Sequence, residues 1–350
     1  KQEANFLLHL RVQPSMDHHE YAKLRQDWDT INRPKYRRFT WGVQQQAALD
    51  LVSAGYGHDD EEARRLSYRF LYINGEPGSG KSAVLLECAI QACVHVSVLI
   101  VCPTGMLVNA FKSKLPDITG IDNITIDTIQ GVLNYKRPGA DSQVRWAPPS
   151  ALRKYDLILC DEGSQYDDLE WSRLFSCIKE QPHSPFTLLV ADFKQLQPLS
   201  GGTLCMQFCQ RMHTIKLDTV YRSRDQDHLL FLNRIRAVQP DRRTLEEYFD
   251  DRHWYHRSLE SCVQEGMALA SQADTPFTWL TCTNAGAAEV CRAALQTHGI
   301  SDDDLANGTP CDPNTKSTLR ILAIVGLIIR LSRNFDKQRG FVNGALAVIE

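Results

Sequence analysis

The sequence has no CxxC pair among its 11 cysteines, and the closest two are Cys205 and Cys209. That leaves neither a zinc-site spacing nor a disulfide framework to organise a fold. Most of the cysteines sit inside apolar runs, where a thiol serves as a small core group. A reducing compartment, nucleus or cytosol, fits this usage, with the mitochondrion allowed. Long apolar runs are also missing. The richest, Ile321 to Leu331, is too short to span a bilayer and ends against Arg330 and Arg333. No membrane partner is expected. Excess positive charge is absent too, with a formal net charge of −3. No global field marks a polyanion binder, although a strand can still be held along a local groove. The densest basic cluster, Arg33, Lys35, Arg37 and Arg38, reads as a solvated surface run. Repeats and low-complexity tracts are lacking as well.

What is present is ordinary globular material: 43% hydrophobic and 23% charged residues over 350 positions, enough for two or more domains. The runs RFLYI near 70, VSVLIVC at 96–102, YDLILC at 155–160 and FTLLVA at 186–191 are apolar throughout. Helical patterns separate them. Such strands alternating with helices predict an α/β fold, a parallel sheet covered on both faces. A second α/β stretch is expected from FTWLTCTN, near Phe277, into the helical AAEVCRAAL. The residues from Leu319 read as β.

The first β run leads into INGEPGSGKS. Gly75, Gly80, Lys81 and Ser82 fit the phosphate-loop spacing, in the required strand–loop–helix context. The glycines let backbone N–H groups wrap phosphates, with Pro77, Gly78 and Ser79 completing the loop. Lys81 reaches the terminal phosphate oxygens, Ser82 coordinates Mg²⁺, and the following helix adds its positive end. ATP and Mg²⁺ are the implied cofactors. A second element, LILCDEGSQ, ends a buried strand in two carboxylates. The chemistry needs one for the Mg²⁺ shell and one to activate water; Asp161 and Glu162 are the respective candidates. Taken alone they are equally a solvent-exposed acidic pair. A small-molecule kinase would satisfy both elements.

A third element, LLVADFKQLQPL, closes another apolar strand with Asp192 and Gln195 three apart. Together with the loop and DEGSQ it resembles motif III of superfamily 1 helicases, with Ala191 in place of the usual Gly and Gln197 in place of the first Pro. The resemblance implies that Gln195 senses the γ-phosphate. Other segments resemble the family in order. FTWGVQQQAALDLV is similar to the adenine-reading segment, with Gln45 the better match and Gln44 its rival. VCPTGMLVNAF resembles motif Ia through Thr104 and Gly105. DTIQGVL resembles the Thr-Ile-His segment through Thr128, with Gln130 in place of His. LDTVYRSRDQDHLLFLNRIRA resembles the arginine-finger segment through Arg222. WLTCTNAGAAEV matches through Thr283 and Asn284. GLIIRLSRNFDKQRGFVNGALAVI matches through Asn334, Asp336, Asn343 and Gly344, and is typical of the 1B branch of Pif-type and RecD-like helicases.

That resemblance, over residues 39 to 350, implies a phosphate-loop NTPase of two RecA-like lobes. The expected boundaries are a flank over 1–38, lobe 1A over 39–215 and an arginine-finger linker over 216–275. Lobe 2A would start over 276–318, and a β-rich, SH3-like 2B segment would occupy 319–350. It implies an ATP-driven, 5′-to-3′ DNA helicase, a monomeric motor on single-stranded or forked DNA. Thr104, Gly105, Thr128 and Asn343 would meet the strand. Phe193 is a candidate base stacker and Phe111 a weaker one; packing into the core is the equal alternative for both. The family's two last motifs do not occur before residue 350. The chain opens on Lys and stops in the strand-like ALAVIE. It therefore reads as a piece of a longer protein with an incomplete second lobe, or else as an impaired remnant that only binds nucleotide or DNA. His253 and His256 read as ordinary surface or core histidines.

Overall fold

In the computed structural model the described residues are 40–56, 69–116, 120–134, 146–179, 185–198, 200–249, 258–273, 279–301, 303–304, 309–310, 320–321, 325, 328–331, 336 and 339–349. The basic cluster at 33–38, His253, His256, Phe277 and Asn334 lie outside them, as does the side chain of Asn284.

Six strands form one all-parallel sheet. They are β1 (Phe70–Gly75), β2 (Val98–Cys102), β3 (Ile124–Thr128), β4 (Leu157–Cys160), β5 (Phe186–Ala191) and β6 (His213–Leu217), in the order β3-β2-β4-β5-β1-β6. β2, β4 and β5 are buried along their whole length. Side chains alternate across a strand, so each strand feeds two cores. Leu71, Ile73, Ile100, Leu159 and Val190 point into one, which α1 (Val43–Tyr56), α2 (Lys81–Ala92) and α3 (Gly105–Lys112) cover. Tyr72, Leu99, Val101, Ile158 and Leu189 point into the other. That face is covered by the single turn α4 (Ile129–Val132), by α5 (Asp168–Lys179) and by α6 (Thr203–Cys209), with Trp171 fully buried beneath them. Seven of the cysteines, among them Cys102, Cys160, Cys205 and Cys209, are buried free thiols in these cores, as their apolar settings predict.

Sequence sets the helix starts. Thr104 and Thr128 are extended residues whose hydroxyls accept from the N–H of Leu107 and Gly131, capping α3 and α4. The Asp168 carboxylate accepts from both Gly202 and Leu204, so α5 fixes the start of α6.

The chain divides into two compact units. The described residues up to Arg236 belong to the first, together with Leu331–Ala345. This unit also contains the strand-exit segment 218–225 and most of α7 (Gln226–Ala237). The second unit holds α8 (Arg242–Phe249), α9 (Leu259–Ala273) and α10 (Asn284–Thr297), with Val263, Val290 and Ala293 packed between α9 and α10. It also holds two short antiparallel pairs: β7 (Thr309–Pro310) with β8 (Arg320–Ile321), and β9 (Ile328–Arg330) with β10 (Leu346–Val348). The helix expected from AAEVCRAAL is present as α10, capped by Thr283. Among the described residues the β pairs near the C-terminal end are too short to define an SH3-like barrel.

Candidate nucleotide and nucleic-acid site

Residues 76 to 80 link the carboxyl end of β1 to α2, whose first two residues are Lys81 and Ser82. Gly78 and Gly80 take φ of 86° and 85°, a left-handed backbone that favours glycine. At Gly75 a side chain would have no room, since a Cβ there would lie 2.5 Å from Ser79 Oγ. Lys81 is buried and donates to the carbonyls of Gly75 (2.7 Å) and Glu76 (3.1 Å). Burial pulls its pKa down, while the carboxylates of Asp192, Glu162 and Asp161 push the other way. Gln45 is buried; its Oε1 accepts from Gly42 N–H and its Nε2 donates to Ser79 O (3.1 Å), so α1 is stitched onto the loop. Its rival Gln44 is exposed.

Asp161 and Glu162 follow β4, next but one to β1 in the sheet. The Ser82 hydroxyl lies 3.1 and 3.2 Å from the two Asp161 carboxylate oxygens. Asp161 is completely buried, and burial reinforced by the Glu162 charge raises its pKa to about 7, against the opposing hydrogen bond from Ser82. Glu162 adopts φ 48°, left-handed backbone for a residue with a side chain, a strained geometry that recurs at functional sites. Its Oε2 is buried without a hydrogen-bond partner among the described residues. Burial raises its pKa, with Lys81 and Arg222 opposing. Ser82 and Asp161 form a hard oxygen donor set of the type Mg²⁺ takes, beside a loop shaped for the phosphates that share such an ion. These residues fit the cofactors that the sequence implies.

Between β4 and β1 lies β5, whose tip carries Asp192. Gln195 donates to Asp192 Oδ2 (3.2 Å), and Lys194 N–H donates to Oδ1 (3.1 Å). Arg236 of α7 completes the set with a two-pronged ion pair, both N–H···O distances being 2.9 Å. Burial alone would raise the Asp192 pKa; Arg236, Gln195 and the Lys194 amide outweigh it and hold the carboxylate low. Arg236 was not singled out from the sequence. Nothing local in LNRIRA marks it as the partner of Asp192, 44 residues away.

Arg222 lies against the phosphate loop. Tyr221 N–H donates to Gly78 O (2.8 Å), and a Cβ on Gly78 would meet Arg222 Cβ at 2.5 Å. The other expected residues sit further along the same sheet edge. Thr104 and Gly105 follow β2, and Thr128 ends β3. Gly105, Asn109, Lys112, Thr128 and Val342 line a cavity of about 150 Å³ there. The turn carrying Asn343, which is exposed, belongs to this unit, and Asn109 donates to Gly340 O (3.2 Å). Gln130, standing where His was expected, donates to the buried Glu170 (2.6 Å). Of the two aromatic candidates, one is removed and the other is half-buried at a cleft. Phe111 is buried in the first core, 4% exposed, which removes it as a base stacker. Phe193 packs on the second core with its ring 6.0 Å from that of Tyr72, on the wall of a cleft of about 550 Å³.

Comparison with known proteins agrees with this architecture. The chain is 29% identical over 184 residues to the ATP-dependent RecD2 DNA helicase of Deinococcus radiodurans, covering 52% of this chain and 23% of that protein. It is 23% identical over 294 residues to the ATP-dependent DNA helicase PIF1 of Danio rerio, covering 81% of this chain and 44% of that one. The chain thus spans less than half the length of either relative. A solved Pif1 helicase from Bacteroides, in complex with ADP-AlF3 and ssDNA, shares the fold with a TM-score of 0.53 at 15% identity, over 89% of this chain and 70% of its own. The family model described as an AAA domain matches residues 62–257, more than half of the sequence, and the chain belongs to that family.

Proposed function

We propose that this chain forms the ATP-hydrolysing lobe, and part of the second lobe, of a DNA helicase that moves along single-stranded DNA. The observation that carries the reading is positional. The nucleotide residues at the ends of β1, β4 and β5 and the strand residues at the ends of β2 and β3 occupy one edge of one rigid sheet, where ligands bind in open parallel sheets. The RecD2 and PIF1 relatives are named as ATP-dependent DNA helicases, and the Bacteroides Pif1 structure holds a nucleotide analogue with ssDNA; both support it.

In this reading the loop N–H groups and Lys81 bind the phosphates, and Gln45 braces the adenine side of the loop. Ser82 and Asp161 hold Mg²⁺, which when bound neutralises phosphate charge. Glu162 takes the proton of the attacking water, its pKa raised by burial and so its carboxylate made a stronger base. Arg222 stabilises the charge that develops on the transferred group. Gln195 reads the γ-phosphate. Thr104, Gly105, Thr128 and Asn343 hold the strand backbone. Monomeric action, 5′-to-3′ direction, forked DNA as substrate and a nuclear, cytoplasmic or mitochondrial location belong to the same proposal.

The test is ATP hydrolysis with and without an oligothymidine strand, for the wild-type chain and Lys81→Ala. The expected result is strand-stimulated turnover that falls at least ~100-fold in the variant, the scale of removing one preorganised charge contact, with unchanged circular dichroism. Turnover retained by the variant would refute the site.

A further inference from the structure

One helix grips two parts of the nucleotide site at once. α7 presents Asn233 and Arg236, three residues apart and so on one face. The Asn233 side-chain amide lies against the Glu76 carboxylate; two carboxylate oxygens can pair there only with its nitrogen, so with the amide turned to donate the shorter separation is 2.8 Å, and Glu76 directly follows Gly75 in the phosphate loop. Arg236 takes Asp192 with both prongs at 2.9 Å and lies 4.0 Å from Glu76 as well. The Arg236 side chain is only 15% exposed, so this is a desolvated, geometrically specified pair and not a surface contact. Asp192 in turn holds the Gln195 amide. A chain of contacts therefore runs from α7 through Arg236 and Asp192 to Gln195. A branch runs through Asn233 and Glu76 to the loop, whose Glu76 carbonyl receives Lys81. Arg236 is also where the chain first leaves its compact unit; the peptide chain enters the other unit at Ala237.

We propose that Arg236 is a positioning residue that fixes Asp192, and through it Gln195, and so ties turnover at the phosphate loop to the helix leading out of the lobe. This rests on the ATPase reading of the site. It does not place Arg236 on the nucleotide. Its guanidinium is already matched by carboxylates, and its effect is exerted through the orientation of Gln195. Lysine can supply the charge but not the fork.

The experiment compares wild type, Arg236→Lys, Arg236→Ala, Asp192→Asn, the Arg236→Ala/Asp192→Asn double variant and Lys81→Ala. A fluorescent ATP analogue gives nucleotide affinity, and steady-state hydrolysis with and without oligothymidine gives kcat. For Arg236→Ala the expected result is nucleotide affinity within threefold of wild type, a kcat at least tenfold lower and loss of strand stimulation. The double variant should be no worse than Asp192→Asn alone, because the two residues act as one unit. Arg236→Lys, which keeps the charge and serves if the alanine variant fails to fold, should keep affinity and lose at least threefold in kcat. A kcat within twofold of wild type in either Arg236 variant, or fully multiplicative losses in the double variant, would overturn the proposal while Lys81-dependent turnover stands. Wild-type hydrolysis unaffected by Lys81→Ala would instead overturn the underlying site reading, and this proposal with it.

Discussion

Replacing Asp161 with Asn should make the lobe more stable and destroy its activity, with a pH dependence that identifies the cause. Asp161 has no exposed surface and its pKa stands at about 7 in the folded protein, against about 3.9 for an unstrained aspartate in the unfolded chain. Between these values the unfolded state has released a proton that the folded state keeps, so rising pH favours unfolding. The penalty begins above the unfolded value and is complete once pH passes the folded one. In the linkage relation it amounts to about 1.5 kcal/mol at pH 5 and about 4 kcal/mol at pH 8. Asparagine keeps an acceptor for the Ser82 hydroxyl and has nothing to ionise. The advantage of Asp161→Asn over wild type should therefore grow by about 2.5 kcal/mol between pH 5 and pH 8. For a lobe of this size that is roughly 5–10 °C in Tm. The assay is thermal unfolding in metal-free buffer at both pH values, followed by hydrolysis with Mg²⁺. A stability difference that is the same at both pH values, or larger at pH 5, would refute the reasoning. So would full hydrolysis by the variant.

The same framework gives two further expectations. Trp171→Ala empties a fully buried site beneath α5 and should cost about 3–5 kcal/mol in a urea titration; a loss under 1 kcal/mol would mean that the second core collapses around the gap. Phe193→Ala separates two roles for one ring. If it stacks on DNA bases, strand affinity falls by about 1–3 kcal/mol with little change in Tm. Its contact with Tyr72 and the core favours the opposite result, a lower Tm with strand affinity unchanged.

How much of this was legible beforehand depends on how local the signal was. The phosphate loop could be read because its glycines, Lys81 and Ser82 lie within eight residues, and the strand before it is short and mostly apolar. The parallel sheet followed from the apolar runs that became β1, β2, β4 and β5; the edge strands β3 and β6 mix polar and apolar residues and were not read. The preference for Gln45 over Gln44 came from its offset in the segment that resembles the family; in the structure Gln45 is buried along with Leu49. Two things could not be read. Arg236 is 44 residues from Asp192, and nothing local marks an arginine in an amphipathic helix as the partner of a strand tip. Phe111 and Phe193 were ambiguous because an aromatic residue near a strand end suits a core and a stacking platform alike. Only packing decides, and it puts Phe111 inside. Thr104 and Thr128 illustrate a third case. Their place in the motifs was plain, but their service as helix caps emerged only with the backbone.

The double-sided burial of the sheet bears on how accurately this machine is assembled. In a sheet with one wet face, a strand that slips by one residue turns its apolar set toward water and is rejected. Here a slipped strand would present apolar groups to both sides, so water gives no warning. Discrimination falls to shape: in the second core large rings such as Tyr72, against Phe193, and Trp171, against Phe208, are packed among small groups such as Ala191 and Cys160. An error would carry Asp161 or Asp192 about 3.3 Å along the strand axis, further than any hydrogen bond in the site can stretch. The tight fit of the cores is thus also the gauge that sets the catalytic groups to length.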